Sequence, residues 1–515
     1  MLAVLCISLV VVVVGNVSLN IALPRISTDL HASFTSLQWM VDAYSLLFAG
    51  LLLFAGAVGD RLGRKGALQG GMLVFGLASL GASFASQAWE VIAARAVMGI
   101  AAAFVMPGTL SILAVVFPPR ERPRAIAIWA GVAGASVAIG LVWSGVLLEH
   151  FWWGSVFLTN VPITAVALGL GVFVLPGSSD PTQTRIDRIG ALLSVAALAS
   201  LLYALIQGPV TSWTSWSILG GFAASAVLLV LFVRWESRVR DPMLDLAFFR
   251  DRRFSVGCIS IAGAFLCLFG VYFLLTQYLQ EVRGYAPLEA GLYALPAGVT
   301  QLVVAPLSAR AVERLGYRAV MGSGLVMVAI GAWILALLST TSPLWILFVG
   351  LSVLGAGLGA ATPPATGAIV SSLPSRKAGV GSAVNDTTRE LGGAVGIALL
   401  GSLLTSHFRS GIASSTARLP AAARAAAGHG IGTALDVARS VPGRAGPALA
   451  DSARHAFASG MLRAFVAGGV LAAIAAVTVF RSLPKGLRPR DDDPDAAAAV
   501  DAAGERRRSE AVSRA

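Results

Sequence analysis

The chain has 515 residues, of which 56% are hydrophobic and 12% are charged, and its formal net charge is +12. Soluble domains carry about 25% charged residues, so this composition excludes a water-soluble fold and indicates an all-α polytopic membrane protein. The positive charge does not indicate nucleic-acid binding, because the basic residues lie in short loops and in the tail rather than on one helix face.

Fourteen apolar runs have the length of about 20 residues that a membrane-spanning helix needs. The expected spans are residues 2–24, 40–59, 67–86, 90–116, 124–148, 156–175, 188–207, 216–233, 254–279, 288–309, 319–338, 344–370, 380–405 and 459–481. An even number of spans predicts that both termini lie on the same side of the membrane.

The distribution of basic residues predicts that this side is the cytoplasm. With a cytoplasmic N-terminus, the short outer loops hold only Arg25 and Arg283, and the remaining short-loop Arg and Lys are inside. The stretch 406–456 is then an extracellular loop, and residues 483–515, which include DDDPD and ERRR, form a disordered cytoplasmic tail.

A charged, glycine-rich turn, GAVGDRLGRKGAL at residues 56–68, separates the second span from the third. A weaker copy, AVERLGYR at residues 311–318, follows the tenth span and places Glu313 where the first copy has Asp60. Both copies follow the second helix of a six-helix block. Two such blocks around a central site are typical of a secondary transporter with alternating access.

This repeat predicts a 6 + 2 + 6 arrangement of the helices. Residues 1–175 form the first six-helix half, residues 176–253 an inserted helix pair with its flanking loops, and residues 254–482 the second six-helix half.

The charged turn resembles the loop motif of the major facilitator superfamily, and the fourteen spans resemble its drug:proton antiporter branch. Further stretches resemble that branch and together cover nearly the whole chain. They are NIALPRI (20–26), LQWMVDAYSL (37–46), RAVMGIAAAFVMPGTL (95–110), VFLTNVPI (156–163), YLQEVRGYAPLEAGLYALPAG (278–298) and GVGSAVNDTTRELGGAVG (379–396). The resemblance implies a major facilitator fold with 14 transmembrane helices.

The chain departs from that branch at four positions. Gly15 stands where the branch has an Asp in helix 1, Met98 stands for a Gln in helix 4, and Leu141 and Ser144 stand for the Pro and the first Gly of a helix 5 motif. These changes weaken the expectation of a doubly acidic site for dications and of antiport. They leave the transport fold in place.

The resemblance implies that the charged turn is a cytoplasmic gate. Asp60 is expected to face the N-terminal end of the thirteenth span, near Ser382, where the partial positive charge of the helix would stabilise it. The gate motif comprises Gly56, Asp60, Arg61, Gly63, Arg64 and Lys65. The alternative is a turn whose basic residues only orient the chain, which would not require Asp60 or the glycines.

Two charged residues inside spans are the candidates for coupling, since ionisable side chains are costly in a membrane. Asp42 can take either a proton or a cationic substrate; otherwise it is an exposed residue at the membrane interface, beside Trp39 and Tyr44. Arg95 is implied to assist proton transfer, and an ion pair with Glu90 or Asp42 is the structural alternative.

Several other polar residues lie inside spans. Asp386, Arg389 and Glu390 begin the thirteenth span, where Asp386 and Arg389 can pair on one helix face as part of a gate or of a proton relay. Asn16, Asn20 and Gln277 are candidates for lining the cavity, although such residues more often satisfy neighbouring helices.

No cofactor, metal or ATP site is expected. None of the three lysines follows a glycine, which excludes a P-loop, so transport would run on the proton gradient. The three cysteines lie inside apolar runs, which argues against disulfides and metal binding.

The sequence therefore predicts a monomeric, proton-coupled exporter of hydrophobic or cationic small molecules in the bacterial inner membrane. The alternative cargo is an endogenous metabolite, a lipid precursor or a self-made antibiotic. A non-transporting sensor or a membrane enzyme is less expected, because no catalytic constellation or soluble domain is evident.

Overall fold

The structure, a computed structural model, describes residues 1–32, 34–118, 120–177, 187–208, 211–239, 242–374, 377–417, 419–428 and 430–484. Among these residues the chain is helical with no strand. The predicted tail, residues 483–515, falls outside the described residues after position 484.

The first half contains helices α1 (Leu2–Asp29), α2 (Phe34–Leu62), α3 (Arg64–Ser83), α4 (Ala88–Val116), α5 (Arg122–His150), the single turn α6 (Ser155–Leu158) and α7 (Asn160–Val174). The inserted pair is α8 (Arg188–Gln207) and α9 (Trp216–Glu236). A short 3-10 helix at Leu246–Arg250 leads into the second half.

The second half contains α10 (Arg252–Gln277), a π-helical turn (Tyr278–Val282), α11 (Pro287–Ala336), α12 (Leu344–Ser371), α13 (Ala378–Thr416), α14 (Ala421–Ala427), α15 (Ile431–Ser440) and α16 (Ala445–Ser482). Thirteen helical segments of the described residues are long and apolar enough to cross a membrane.

The longest of these segments, α11, holds two spans. It has 50 residues and would measure about 75 Å as one straight helix at about 1.5 Å per residue, more than twice a hydrocarbon core of about 30 Å. Gly316 breaks it with φ 79° and ψ 163°. The two parts, α11a (287–315) and α11b (317–336), bring the number of spans to the predicted fourteen.

The stretch 406–456, which was expected to be an extracellular loop, is largely helical among its described residues. Helix α13 continues to Thr416, α16 begins at Ala445, and α14 and α15 lie between them. Ile431 and Leu435 of α15 are buried against the second half. The high alanine content of this stretch favours helix. Hydropathy did not indicate these helical segments, because they lie outside the predicted spans 380–405 and 459–481.

The halves pack most extensively along two helix pairs, α5 with α11a and α2 with α13, and α4 with α13 and α5 with α12 also meet. Small residues permit the close approach, as is usual for helices in membranes. A Cβ atom on Gly131 of α5 would lie 3.2 Å from Cβ of Ala305 in α11a. The inserted pair packs against α2, where a Cβ atom on Gly50 would lie 3.8 Å from Cβ of Ala199 in α8.

We name one end of the bundle the latch end, because α2 ends there at Leu62 and α13 begins there at Ala378. At this end the halves are in contact: Val370 of α12 and Ala378 belong to the hydrophobic core of the first half. The latch end is therefore closed in this structure.

Candidate functional site

Asp60 joins the two halves at the latch end. Its carboxylate is fully buried, and its two oxygens accept hydrogen bonds from the backbone N–H groups of Gly379 (2.8 Å) and Val380 (3.0 Å). Both N–H groups belong to the first turn of α13, where backbone donors have no acceptor within their own helix. The sequence predicts that Asp60 lies at the start of this helix, close to Ser382, and the structure places it there.

Glycine permits this contact between α2 and α13. A Cβ atom on Gly56 would lie 2.5 Å from the carbonyl oxygen of Gly379 and 2.7 Å from Cβ of Ala383. Any larger side chain at position 56 would push the helices apart. The Asp60 latch therefore depends on Gly56 and Gly379 as much as on its own charge.

Arg64 holds Asp60 in place, and its neighbours form the rest of the charged turn. The Arg64 side chain is buried and forms an ion pair with Asp60, with 2.7 Å between Nη2 and Oδ1, and Gly63 makes the sharp turn between α2 and α3 with φ 112°. Lys65 donates from Nζ to the carbonyl oxygen of Val172 in α7 at 2.7 Å. Arg61 lies in the last turn of α2.

The second copy of the motif has the same turn but a different acidic residue. Gly316 has a positive φ, as Gly63 does, which supports the predicted repeat. Glu313 is exposed, whereas Asp60 is buried. The buried carboxylate that joins the halves thus comes from the first copy.

Arg95 is fully buried in α4 and is held by neighbouring helices. It donates from Nε to the carbonyl oxygen of Met40 (3.1 Å), from Nη1 to that of Gly15 (3.2 Å) and from Nη2 to Oδ1 of Asn16 (3.1 Å). Its guanidinium also lies 4.1 Å from the centre of the Tyr44 ring, a favourable cation–π geometry.

The expected ion pair of Arg95 with Glu90 or Asp42 is absent from the described residues. Glu90 instead caps the start of its own helix and accepts from the backbone N–H groups of Ser86 (2.6 Å) and Gln87 (3.2 Å). Backbone carbonyls and an amide satisfy Arg95 without a carboxylate, since a guanidinium offers five donors.

Asp42 is buried in α2, with 9% of its surface exposed, so the interpretation as an exposed interfacial residue is wrong. Gln207 at the end of α8 donates to its Oδ2 at 3.0 Å. The carboxylate therefore connects the first half to the inserted helix pair. Tyr44 is also fully buried, whereas Trp39 is exposed at 37%, as an interfacial residue would be.

The charged residues of α13 form one buried cluster. Nη1 of Arg389 lies 3.9 Å from Oδ1 of Asp386, and its Nε lies 3.5 Å from Oε1 of Glu390. Asn385 donates to Oδ1 of Asp386 at 3.2 Å, and the other oxygen, Oδ2, is buried and has no hydrogen-bond partner among the described residues. The predicted pairing of Asp386 with Arg389 on one helix face is present.

The polar candidates for the cavity have different surroundings. Asn16 accepts a hydrogen bond from Arg95, and Gln277 donates to the carbonyl oxygen of Phe273 one turn earlier in its own helix at 3.4 Å. The side chain of Asn20 lies outside the described residues. At Gly15, which replaces an Asp of the branch, an added Cβ atom would lie 2.9 Å from the Phe75 ring.

Sequence reasoning missed Gln207 and the backbone carbonyl groups of Met40 and Gly15. Backbone acceptors and donors leave no mark in a sequence. Gln207, a polar residue at the end of an apolar run, was the one available signal.

A family model described as "Major Facilitator Superfamily" matches residues 5–397. The chain is 36% identical over 479 residues to "Multidrug efflux pump LfrA" of Mycolicibacterium smegmatis, covering 93% of this chain and 95% of that protein. It is 35% identical to "Methyl viologen resistance protein SmvA" of Salmonella typhimurium (91% and 95%), and 32% identical to "Tetracenomycin C resistance and export protein" of Streptomyces glaucescens (92% and 90%).

Solved structures agree on the fold. The human organic anion transporter MFSD10 superimposes with a TM-score of 0.58 at 14% identity, covering 92% of this chain and 98% of that chain. The proton:xylose symporter XylE also gives a TM-score of 0.58, at 13% identity, covering 94% and 96%. This chain is a multi-pass membrane transporter, and it belongs to the major facilitator superfamily, in the fourteen-helix drug:proton antiporter branch.

Proposed function

We propose that the protein exports small hydrophobic or cationic compounds by alternating access, driven by the proton gradient. The observation that carries the proposal is the buried Asp60, which ties α2 of one half to the N-terminus of α13 in the other. A transporter that opens at the latch end must break these two hydrogen bonds. The names of three relatives, an efflux pump and two resistance proteins, support a drug as cargo.

The coupling between proton and cargo is proposed to pass through buried charges. Asp42, held by Gln207 of the inserted pair, can bind a proton or interact with a cation, but not both at once. Arg95 would orient the neighbouring helices, and the unpartnered oxygen of Asp386 is a second place for a proton. Competition of this kind converts proton entry into release of the cargo.

The cellular setting is proposed from the charge distribution. We place the latch end at the cytoplasmic face of a bacterial inner membrane, with both termini cytoplasmic, because Arg61, Arg64 and Lys65 of a short loop lie at that end. The protein would act as a monomer whose partners are the cargo, protons and lipid. It would need neither ATP nor a metal or cofactor, and no nucleic acid.

A dedicated exporter is the second candidate function. The relative from Streptomyces glaucescens is named as a resistance and export protein for a single compound, tetracenomycin C. The cargo of the present chain would then be an endogenous metabolite, a lipid precursor or a self-made antibiotic.

Inverted membrane vesicles with an imposed proton gradient test the proposal. A pH-sensitive dye would report proton release when a panel of cationic drugs is added, for the wild type and for Asp42→Asn. Asp29→Asn is the matched control, because Asp29 is exposed at the end of α1. We expect release in the wild type and in the control, and loss of release in Asp42→Asn.

Two other results would contradict parts of this proposal. If Asp42→Asn keeps full proton release, Asp42 does not carry the coupling. If the wild type responds to no compound, the multidrug proposal fails and a dedicated exporter takes its place.

A further inference from the structure

The inserted helix pair is anchored by a buried carboxylate at the latch end. Glu236, the last residue of α9, is 3% exposed, and its Oε2 accepts from the backbone N–H of Leu244 at 3.2 Å. Its other oxygen, Oε1, is buried and has no hydrogen-bond partner among the described residues. Asp187, which caps α8 through the N–H groups of Ile189 and Gly190, also accepts from Trp235 at 2.8 Å.

Residues 242–250, which we call the strap, lead from this anchor to the second half. Met243 and Leu244 are buried in the hydrophobic core of that half, and the aromatic rings of Phe248 and Phe254 lie 6.2 Å apart. The strap is thus fixed at one end by Glu236 and along its length by apolar contacts.

Lys377 connects the strap to α13. Its Nζ donates to the carbonyl oxygen of Pro242 at 3.3 Å and lies 5.9 Å from the centre of the Phe248 ring. The next residue, Ala378, begins α13, and the following two residues donate the hydrogen bonds to Asp60. Only Ala378 therefore separates Lys377, whose side chain contacts the strap, from Gly379 of the latch.

We propose that Glu236 and Lys377 are positioning residues of the latch: through the strap, the inserted helix pair holds the first turn of α13 where Asp60 can accept its N–H groups. This inference rests on the proposed function, because it assigns the inserted pair a part in the gate. Glu236 binds the strap at Leu244 and Lys377 binds it at Pro242, so both side chains favour the same closed arrangement.

Hydrogen–deuterium exchange of the full-length protein in lipid nanodiscs tests whether Glu236 and Lys377 hold the first turn of α13 against Asp60. The amides of Gly379 and Val380 have no acceptor in their own helix, so their protection reports on Asp60. We expect Glu236→Gln and Lys377→Met each to speed exchange at these two amides by about fivefold, the effect of roughly 1 kcal/mol. Lys377→Arg keeps a donor at this position, so the amides of Gly379 and Val380 should exchange at the wild-type rate.

Two controls accompany the measurement. Glu121→Gln is the matched control, because Glu121 is exposed at the latch end, before α5, and should change nothing. Amides in the middle of α4 should exchange as in the wild type in every variant, which separates a local effect from loss of the fold. If Glu236→Gln does not fold, the Lys377 variants decide.

Asp60→Asn separates the two proposals. If it speeds exchange at Gly379 and Val380 while the Glu236 and Lys377 variants do not, the strap has no role and the latch stands. If Asp60→Asn itself leaves both amides protected, the latch is wrong and the strap proposal falls with it.

Discussion

Asp60 binds three donor groups with a single carboxylate: two backbone N–H groups of α13 and the guanidinium of Arg64. The backbone donors come from the other half of the molecule, whereas Arg64 lies four residues after Asp60 in the same charged turn. Hydrogen bonds to a charged group contribute about 1.5–3 kcal/mol each. The closed latch end thus has a stabilising contact that a single substitution can weaken.

The substitution Asp60→Asn should shift the protein away from the closed latch. The amide keeps one acceptor oxygen but loses the charge and the ion pair, so we expect export to fall by roughly tenfold, which corresponds to about 1.4 kcal/mol. Drug efflux from loaded cells, normalised to the amount of protein in the membrane, measures the change. Efflux at the wild-type rate would contradict a role for the latch in transport.

The substitution Arg95→Lys should damage the first half itself. A lysine has one nitrogen in place of three and cannot reach the acceptors on both α1 and α2 at once, so buried carbonyl groups lose their donors. We expect a loss of about 2–3 kcal/mol in stability, measured as a lower midpoint of thermal unfolding. Arg234→Lys, at an exposed site in α9, is the control that should leave the midpoint unchanged.

At the scale of residues, the sequence predicted which charges matter better than it predicted their partners. Asp60 lies at the start of α13 as expected, and Asp386 lies near Arg389. The sequence predicts a carboxylate partner for Arg95, but in the structure two backbone carbonyl groups, of α1 and α2, and the amide oxygen of Asn16 accept from it. Any residue type supplies a carbonyl group, so neither composition nor spacing could have identified these partners.

At the scale of helices, close contact between α2 and α13 limits what position 56 tolerates. Gly56→Ala should prevent full closure, because the added Cβ atom meets Gly379 and Ala383. We expect loss of drug efflux and faster amide exchange in the first turn of α13. Gly70→Ala is the matched control: a Cβ atom there meets nothing within 4 Å. Equal efflux from both variants would contradict the proposed contact.

The turn at Gly316 should likewise require glycine. Its φ of 79° with ψ of 163° lies in a region that side chains disfavour by about 1–3 kcal/mol, so Gly316→Ala should lower the midpoint of thermal unfolding. Gly367→Ala, in α12 with open space around its Cβ position, should not. A Gly316→Ala protein as stable as the wild type would show that the two spans of α11 do not need this turn.

Hydropathy predicted the fourteen spans because the membrane imposes a similar length on each of them. It also divided α11 correctly, since the charged motif at residues 311–318 interrupts the apolar pattern. The same signal failed for 406–456, where α13 and α16 extend beyond the spans. Outside the predicted spans, alanine content and amphipathic pattern indicate a helix better than overall hydropathy does.

At the scale of the whole molecule, the two halves repeat a motif but use it differently. Asp60 of the first copy is buried between the halves, whereas Glu313 of the second copy is exposed. The inserted pair adds further asymmetry, since α8 reaches Asp42 through Gln207 and α9 reaches the strap through Glu236. Closure at the latch end therefore uses the acidic residue of only one copy of the motif, together with the proposed contribution of the inserted pair.

Double electron–electron resonance between spin labels that replace Leu62 and Leu315 measures the distance between the two halves at the latch end. It is therefore the first test of alternating access. Both residues lie at the latch end, one in each half, and are 69% and 65% exposed. We expect one short distance at neutral pH for the wild type, and a second, longer distance when Asp60→Asn is introduced or when a cargo and a proton gradient are supplied. A single unchanged distance under all of these conditions would contradict alternating access at the latch end.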